Sequence, residues 1–337
     1  LNPTDVPEAF FVLDEKDVTD QYVKAFDISI PIKYEYNGER KKKIGVICVF
    51  DNKNWRVVYW GEIKSKKFHF NKMASGILYV GAYYENGDII PATDPFLLRE
   101  DGTVDYCVPN ENDLIDMKLE RKYPLMRGIR MKAFGIVGML AEGANNSMFN
   151  NPTTFFTQSV RSYNVMDSLI NSSTRFKYVR LNIAKNRDAN LAEVEFYGKE
   201  MQDGEEKKLE GKVIGYPPSE EWSNPYQNAM DGNLETFFEK DKKREGWVGL
   251  ELDKPCYITR VRFAPRSDTN FILEGDTYEL KYWGDTHWVS AGIKVAEQYN
   301  YINFKNIPSG AIYLLSNLSR GKEERIFTYE NGVQVWW

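Results

Sequence analysis

The stretch from Asn224 to Thr236, NPYQNAMDGNLET, constrains this chain more than any other, because a charged run and then Trp247-Val248-Gly249-Leu250-Glu251-Leu252 follow it. Asp231-Gly232 is a chain reversal: glycine accepts positive φ, and aspartate bonds backbone just ahead of itself. The alternating apolar residues behind the turn read as a half-buried strand. A tight turn aims several carbonyls at one point. With oxygen-bearing side chains at Asn228, Asp231, Asn233 and Thr236, it predicts a cage for a hard cation such as Ca²⁺. This spacing suits a binding scaffold better than a catalytic centre.

Three blocks in order, A-x-D-G-x-x-x-T-F from Ala229, W-V-G-L-E-L-D-K-P from Trp247 and I-T-R-V-R-F from Ile258, resemble the discoidin (coagulation factor type C) family. That family is a galactose-binding-like jelly-roll β-sandwich that includes many bacterial carbohydrate-binding modules. The resemblance covers roughly residues 205 to 337. A second set of segments lies upstream: Phe176 to Leu181 and Asn190 to Gly198 resemble closing strands of the same family, as do Ala311 to Leu315 and Glu324 to Gly332. Tyr178 precedes Gly198 by 20 residues and Tyr313 precedes Gly332 by 19, so the spacing predicts two closing hairpins of nearly equal size and a domain-scale repeat.

The two copies differ. Residues 118 to 160 hold several glycines and the cluster Asn145-Asn146-Ser147 but no A-x-D-G-x-x-x-T loop, so the first copy is the divergent one and reads as a spacer. The resemblance also implies a metal-ligating Glu from the closing segment. There the first copy has Glu193 and the second has Phe327, which leaves Glu323, Glu324 or Glu330 to substitute, and Glu330 joins the expected metal set.

Upstream of both copies, strand signals dominate. Phe26 to Tyr36 alternates, Ile44 to Phe50 is a continuous apolar run, and Trp55 to Glu62, Gly76 to Tyr84 and Ile89 to Leu98 follow. About six short strands with polar turns predict a sandwich of about 110 residues. It resembles a segment of gut-bacterial surface proteins that also carry transglutaminase-like and discoidin domains. A boundary near Pro109 to Met117, marked by polar NENDLIDMK, and charged EMQDGEEKK from Glu200 to Lys208 read as linkers. The expected architecture is therefore all-β in three domains: an N-terminal sandwich over 1–112, a divergent discoidin-like domain over 113–200 and a discoidin-like domain over 205–337.

Composition narrows the function classes. A net charge of −5 argues against a general nucleic-acid binder. The clusters Arg40-Lys41-Lys42-Lys43 and Lys64-Ser65-Lys66-Lys67 read as a hairpin tip and a turn in water. No run reaches the ~18 to 20 apolar residues of a membrane helix. A start at Leu1 reads as a processed or trimmed product. Three cysteines do not all pair with one another, so disulfides are not expected to organise the fold.

Catalytic signatures are missing. Only His69 and His287 are available as imidazole bases, Cys48 sits inside the apolar run IGVICVF, and there is no G-x-S-x-G elbow and no C-x-x-C pair. Glu193 and Glu195 stand two apart on a strand and share a face, which suits a structural carboxylate and a rim charge better than a hydrolytic pair.

Sugar recognition asks for an aromatic platform bordered by planar hydrogen-bonding groups. In the last copy, loop segments supply Trp222, Arg266, Asn270, Phe271, His287, Trp288 and Arg320 as ligand candidates. Trp247, Tyr278, Tyr282 and Trp283 lie in strand signals and read as core, and packing is also the expected role of Trp336 and Trp337. The chain thus reads as a non-catalytic, extracytoplasmic bacterial protein that binds a glycan or glycoconjugate through its last copy, with structural Ca²⁺ beneath the loops. The alternative is a structural and interaction region of a larger surface enzyme, such as a transglutaminase-like protein, whose repeats pack against other domains and bind no sugar.

Overall fold

The computed structural model describes residues 12–13, 16–17, 23–35, 44–51, 54–85, 87–125, 129, 133–183, 185–217, 223–268, 270–321 and 324–337. Trp222, Glu323 and the basic cluster at 40–43 lie outside the described residues. The chain is all-β, as expected, and divides into two compact units: residues 1–124 with 272–337, and residues 125–271. These divisions fall elsewhere than the expected ends at 112, 200 and 205. The segment read as the second discoidin-like copy contributes to both units.

The first unit opens with β1 (Val12–Leu13), β2 (Lys16–Asp17), β3 (Ala25–Pro31), β4 (Ile44–Asp51), β5 (Asn54–Lys64), β6 (Lys67–Ala74) and β7 (Ile77–Glu85). It continues through β8 (Asp88–Pro91), β9 (Phe96–Leu98), β10 (Val104–Tyr106) and β11 (Asn110–Leu119). One sheet runs β10-β9-β7-β4-β5-β6-β3, with β8 also on β7. The basic turn behaves as expected: Lys64 pairs with Lys67 around Ser65 and Lys66, both at positive φ, as a two-residue hairpin requires. The expected strand Ile89 to Leu98 is two strands, interrupted where Thr93 and Asp94 are buried.

The expected linker NENDLIDMK is instead most of β11. Its first residues are exposed, while Met117 and Leu119 alternate into a core. The polar start concealed the period-two signal of its end.

The second unit comprises β12 (Leu140–Ala144), β13 (Thr153–Thr157), β14 (Met166–Leu169), β15 (Arg175–Ile183) and β16 (Ala189–Lys199). After them come β17 (Lys207–Lys208), β18 (Gly211–Tyr216), β19 (Phe238–Lys240) and β20 (Gly246–Pro265). The 20-residue β20 organises this unit. Its first half lies between β15 and β18 through Leu250↔Val179 and Leu250↔Val213, and its second half lies between β16 and β14 through Phe263↔Val194 and Phe263↔Met166. One strand serving four neighbours curls the sheet around a single core of Val179, Leu181, Val194, Phe196, Phe238, Val248, Leu250, Val261 and Phe263. A β-sandwich class fits this arrangement.

The chain then returns to the first unit in β21 (Thr277–Gly284), β22 (His287–Val295), β23 (Ile302–Ser309), β24 (Tyr313–Asn317), β25 (Ile326–Glu330) and β26 (Val333–Trp336). β23 pairs with β11, and the others form a sheet in the order β22-β21-β24-β25-β26. The middle of that sheet, in β21, β24 and the start of β25, is buried on both faces. Tyr278, Leu280, Tyr313, Leu315 and Phe327 pack with Met117 and Leu119, while Trp283, Leu314 and Ile326 pack with Phe50, Leu78 and Cys107. Strand residues alternate between faces, so Tyr313 and Leu314 serve different cores.

The equal spacings of 20 and 19 residues do not mark equal hairpins. β24 pairs with β25, but β15 pairs with β12 and β20, while β16 pairs with β17, β19 and β20.

Candidate cation site and loop edge

The Asp231-Gly232 turn forms as the residues dictate, with Gly232 at φ +76. Asp231 Oδ1 accepts the Asn233 N–H at 2.8 Å, and Asn233 Oδ1 accepts the Glu235 N–H at 3.1 Å. Both are local side-chain-to-backbone bonds of the kind that fix turns. The Thr236 hydroxyl lies 2.7 Å from Asp231 Oδ2, 2.8 Å from the Asn233 carbonyl oxygen and 3.4 Å from the Asn228 carbonyl oxygen. A hydroxyl has one proton to donate, so three acceptors at one hydroxyl leave lone pairs in excess. Asn228 contributes through its main chain, since its side-chain amide donates to the Phe237 carbonyl at 3.3 Å.

The second carboxylate at this turn is Glu193. From β16 its Oε2 accepts the Gly232 N–H at 3.0 Å. The residue is buried, and its carboxyl is pushed up to about 8, first by burial and further by Asp231 and Glu195, against the pull of Lys208 and the Gly232 N–H. Glu330, expected here, belongs to the other unit, where it sits on β25 and accepts the Thr328 hydroxyl at 2.8 Å. The resemblance of Asn190 to Gly198 to a closing strand puts Glu193 in a separate copy; in the fold, β16 brings it to Gly232 of the turn from 39 residues upstream, a pairing that local sequence does not carry.

Among the described residues no group of three or more His, Cys, Asp or Glu gathers as a metal site. The set at this turn has two carboxylates supplemented by main-chain, amide and hydroxyl oxygens, which are donors of the hard type. The surplus of acceptors at Thr236, with the Glu193 carboxyl buried against the same turn, is a donor set of the kind a divalent cation takes.

On the same unit, Arg266 places its guanidinium 3.9 Å from the Phe237 ring centroid and bonds Asp268 at 2.8 Å. Its own N–H donates to the Asn190 carbonyl, which ties it to the start of β16. Both Arg266 and Phe237 are half-buried. Phe237 follows Thr236 directly, so this edge continues from the oxygen-rich turn.

The other ligand candidates are placed differently. Asn270 and Phe271 are buried, at 0% and 1% exposure, so neither reaches a surface ligand. Phe271 is apolar and packs inward like the neighbouring Ile272. Trp288 stands in an aromatic cluster of the first unit, 5.2 Å from Trp283 and 5.5 Å from Phe50 by ring centroids, which makes it packing. His287 is exposed at the head of β22. Arg320 donates from Nε to buried Asp276 at 2.7 Å, and Asn317 donates to the same carboxylate oxygen at 2.8 Å, so Arg320 closes a polar network that orders its own loop. His287, Trp288 and Arg320 therefore belong to one unit and Arg266, Asn270 and Phe271 to the other.

Nucleophile chemistry finds poor support in the cysteines. The Cys48 and Cys107 thiols are buried and pushed up to about 12 by desolvation. Ser29 Oγ and His69 Nδ1 lie 2.8 Å apart, but they are a cross-strand pair on β3 and β6, and the other ring nitrogen faces the Lys64 carbonyl, not a carboxylate. Among the described residues no helix is long and apolar enough to cross a membrane. Comparison of the chain with family models, with curated proteins and with solved structures gives no match.

Proposed function

We propose that this chain is a non-catalytic binding protein of the extracytoplasmic space, which holds a glycan or glycoconjugate at the Arg266–Phe237 edge of its second unit. A hard cation such as Ca²⁺ supports that edge from the Asp231 turn. The reading rests on one observation above the rest: three acceptor oxygens meet at the single hydroxyl of Thr236 while Glu193 is buried against the same turn. In this reading, residues 125–271 form one discoidin-like module in which the closing strands precede the opening loop along the chain. Asn228 and Asn233 supply carbonyl oxygens, Asp231 and Glu193 charge, and Thr236 its hydroxyl. The cation supplies a fixed positive charge that holds these groups and so the strand-to-loop junction before Phe237. Arg266 then offers a rigid planar donor over an aromatic face, the pairing that sugars use through hydroxyls and C–H patches.

The test is a glycan-array screen of the whole chain with and without chelator, followed by calorimetric titration of the best ligand into wild type and Arg266→Ala. One aromatic face and a few polar contacts leave most of a sugar in water, so the expected affinity is roughly 4 to 6 kcal/mol, a Kd between ~1 mM and ~40 μM. Binding lost with Arg266→Ala supports the reading; equal binding by the variant, or no heat with wild type, contradicts it.

The burial of Asn270 and Phe271 and the packing of half-buried Trp288 favour a second reading, in which the aromatics serve packing and the chain is an interaction region of a larger surface protein. Absence of any glycan binding, together with a partner recovered through the exposed Trp60–Tyr84 pair, is the outcome that selects it.

A further inference from the structure

Within the first unit a cavity of about 370 Å³ opens between the β9–β10 hairpin and the segments around Gly310 and Thr328. Its size falls within the roughly 300 to 1,000 Å³ of small-molecule sites. It is lined by Arg99, Asp105 and Tyr106 on one side and by Thr328, Tyr329 and Glu330 on the other. None of these residues takes part in the Asp231 turn or the Arg266 edge.

We infer that this groove is a separate saccharide-binding site of the first unit, taking one or two neutral sugar residues with Tyr106 as the stacking platform. Tyr106 is 42% exposed, yet its ring stands edge-on to buried Phe96 with centroids 5.9 Å apart, so the core of the unit fixes its orientation. A ring held in place while wet on one side is what an apolar sugar face requires.

Both kinds of polar partner are present. Arg99 Nε donates to Asp105 Oδ2 at 2.6 Å, an exposed pair that presents a donor fork and an acceptor side by side for neighbouring hydroxyls. Glu330 accepts the Thr328 hydroxyl at one oxygen, and it has no cationic partner among the described residues, so acceptor capacity remains for sugar hydroxyls. Thr328 is itself oriented by the Trp337 indole N–H at 3.0 Å. Tyr329 is fixed in turn, its hydroxyl accepting the Lys118 N–H at 3.0 Å. The backbone also approaches closely: a Cβ at Gly310, which has φ +75, would stand 2.8 Å from the Val108 carbonyl oxygen. Arg99 offsets Asp105 and Glu330 leaves the groove with one net negative charge, which disfavours an anionic ligand and suits the hydroxyl donors of a neutral sugar.

The experiment uses the full chain, with galactose, N-acetylglucosamine and fucose and their short oligosaccharides as probes in calorimetric titration. Tyr106→Phe keeps the platform and should bind as wild type does. Tyr106→Ala should weaken binding by at least about tenfold, and so should Glu330→Gln, a near-isosteric change that spares the fold even if the alanine variant is unstable. Loss of binding in these two with retention in Arg266→Ala establishes the groove and removes the reading of the second unit. Loss in Arg266→Ala with retention in both groove variants does the opposite. No binding of any probe by wild type overturns the groove.

Discussion

Glu193 and Glu195 stand two residues apart on β16, yet their surroundings move them in opposite directions. Burial raises Glu193, as above, whereas Glu195 resists its own burial because Lys208 and the Tyr197 hydroxyl bond its carboxylate and hold it below the usual range. A carboxyl at about 8 in the folded chain, against ~4.3 unfolded, keeps its proton between those values while the unfolded chain releases it. Stability of the second unit without divalent cations should therefore fall as pH rises from about 5 to 8 and level off above that. Urea midpoints at four pH values check this. Glu193→Gln, neutral throughout, should remove most of the slope, and an unchanged slope in the variant contradicts the assignment. Asn270 shows the limit of reading residues singly: its polar type and loop position suggested a ligand contact, but a position with 0% exposure cannot make one.

At the scale of elements, FDISIP and YELKYW were legible because they alternate between a buried and a less buried face, and IGVICVF because it is a continuous apolar run buried on both faces from Gly45 to Phe50. What alternation does not carry is the partner. Gly249 illustrates this: it reads as one residue of a Trp-Val-Gly-Leu strand, but a Cβ there would run into the Val179 carbonyl oxygen and the Arg180 side chain across the β15–β20 ladder. Backbone on a central ladder cannot give way cheaply, so Gly249→Ala should destabilise the second unit by about 1 to 3 kcal/mol, read as a shift in urea midpoint. A variant as stable as wild type would show that β15 and β20 are not so paired. Trp247 reads as core in a strand signal, yet it is half-buried on the opposite face. There it packs on Phe149 at 5.5 Å, and the Arg180 guanidinium lies 4.1 Å from the Phe149 ring. The tip of that cover, Phe149 at φ +49, lies in a loop whose sequence has no period to read.

For the molecule as a whole, the all-β class was legible from short alternating strands and polar turns, but the division of the chain was not. Two similar spacings suggested tandem copies, whereas ladder partners lie far apart in sequence: β11 pairs with β23 across nearly 200 residues, and Glu193 meets Gly232 from a different segment. Local pattern reports strands; long-range pairing decides which of them share a core. The first unit draws on both ends of the chain, so a fragment ending at 124 lacks the sheet that covers Phe50, Leu78 and Cys107 and should expose apolar surface, seen as dye binding without a cooperative transition. A well-folded 1–124 fragment would contradict that dependence.

The central claim is that residues 125–271 form one self-contained unit that brings Glu193 and the Asp231 turn to a single cation site. Scanning calorimetry of the 125–271 fragment, with Ca²⁺ and with chelator, tests it most directly. The prediction is one cooperative transition that Ca²⁺ raises, by an amount equivalent to about 2.7 kcal/mol at 100 times Kd, and that no longer responds to Ca²⁺ in Asp231→Ala or Glu193→Ala. A fragment of 205–337 that unfolds cooperatively and responds to Ca²⁺ without Glu193, while 125–271 does neither, would contradict it.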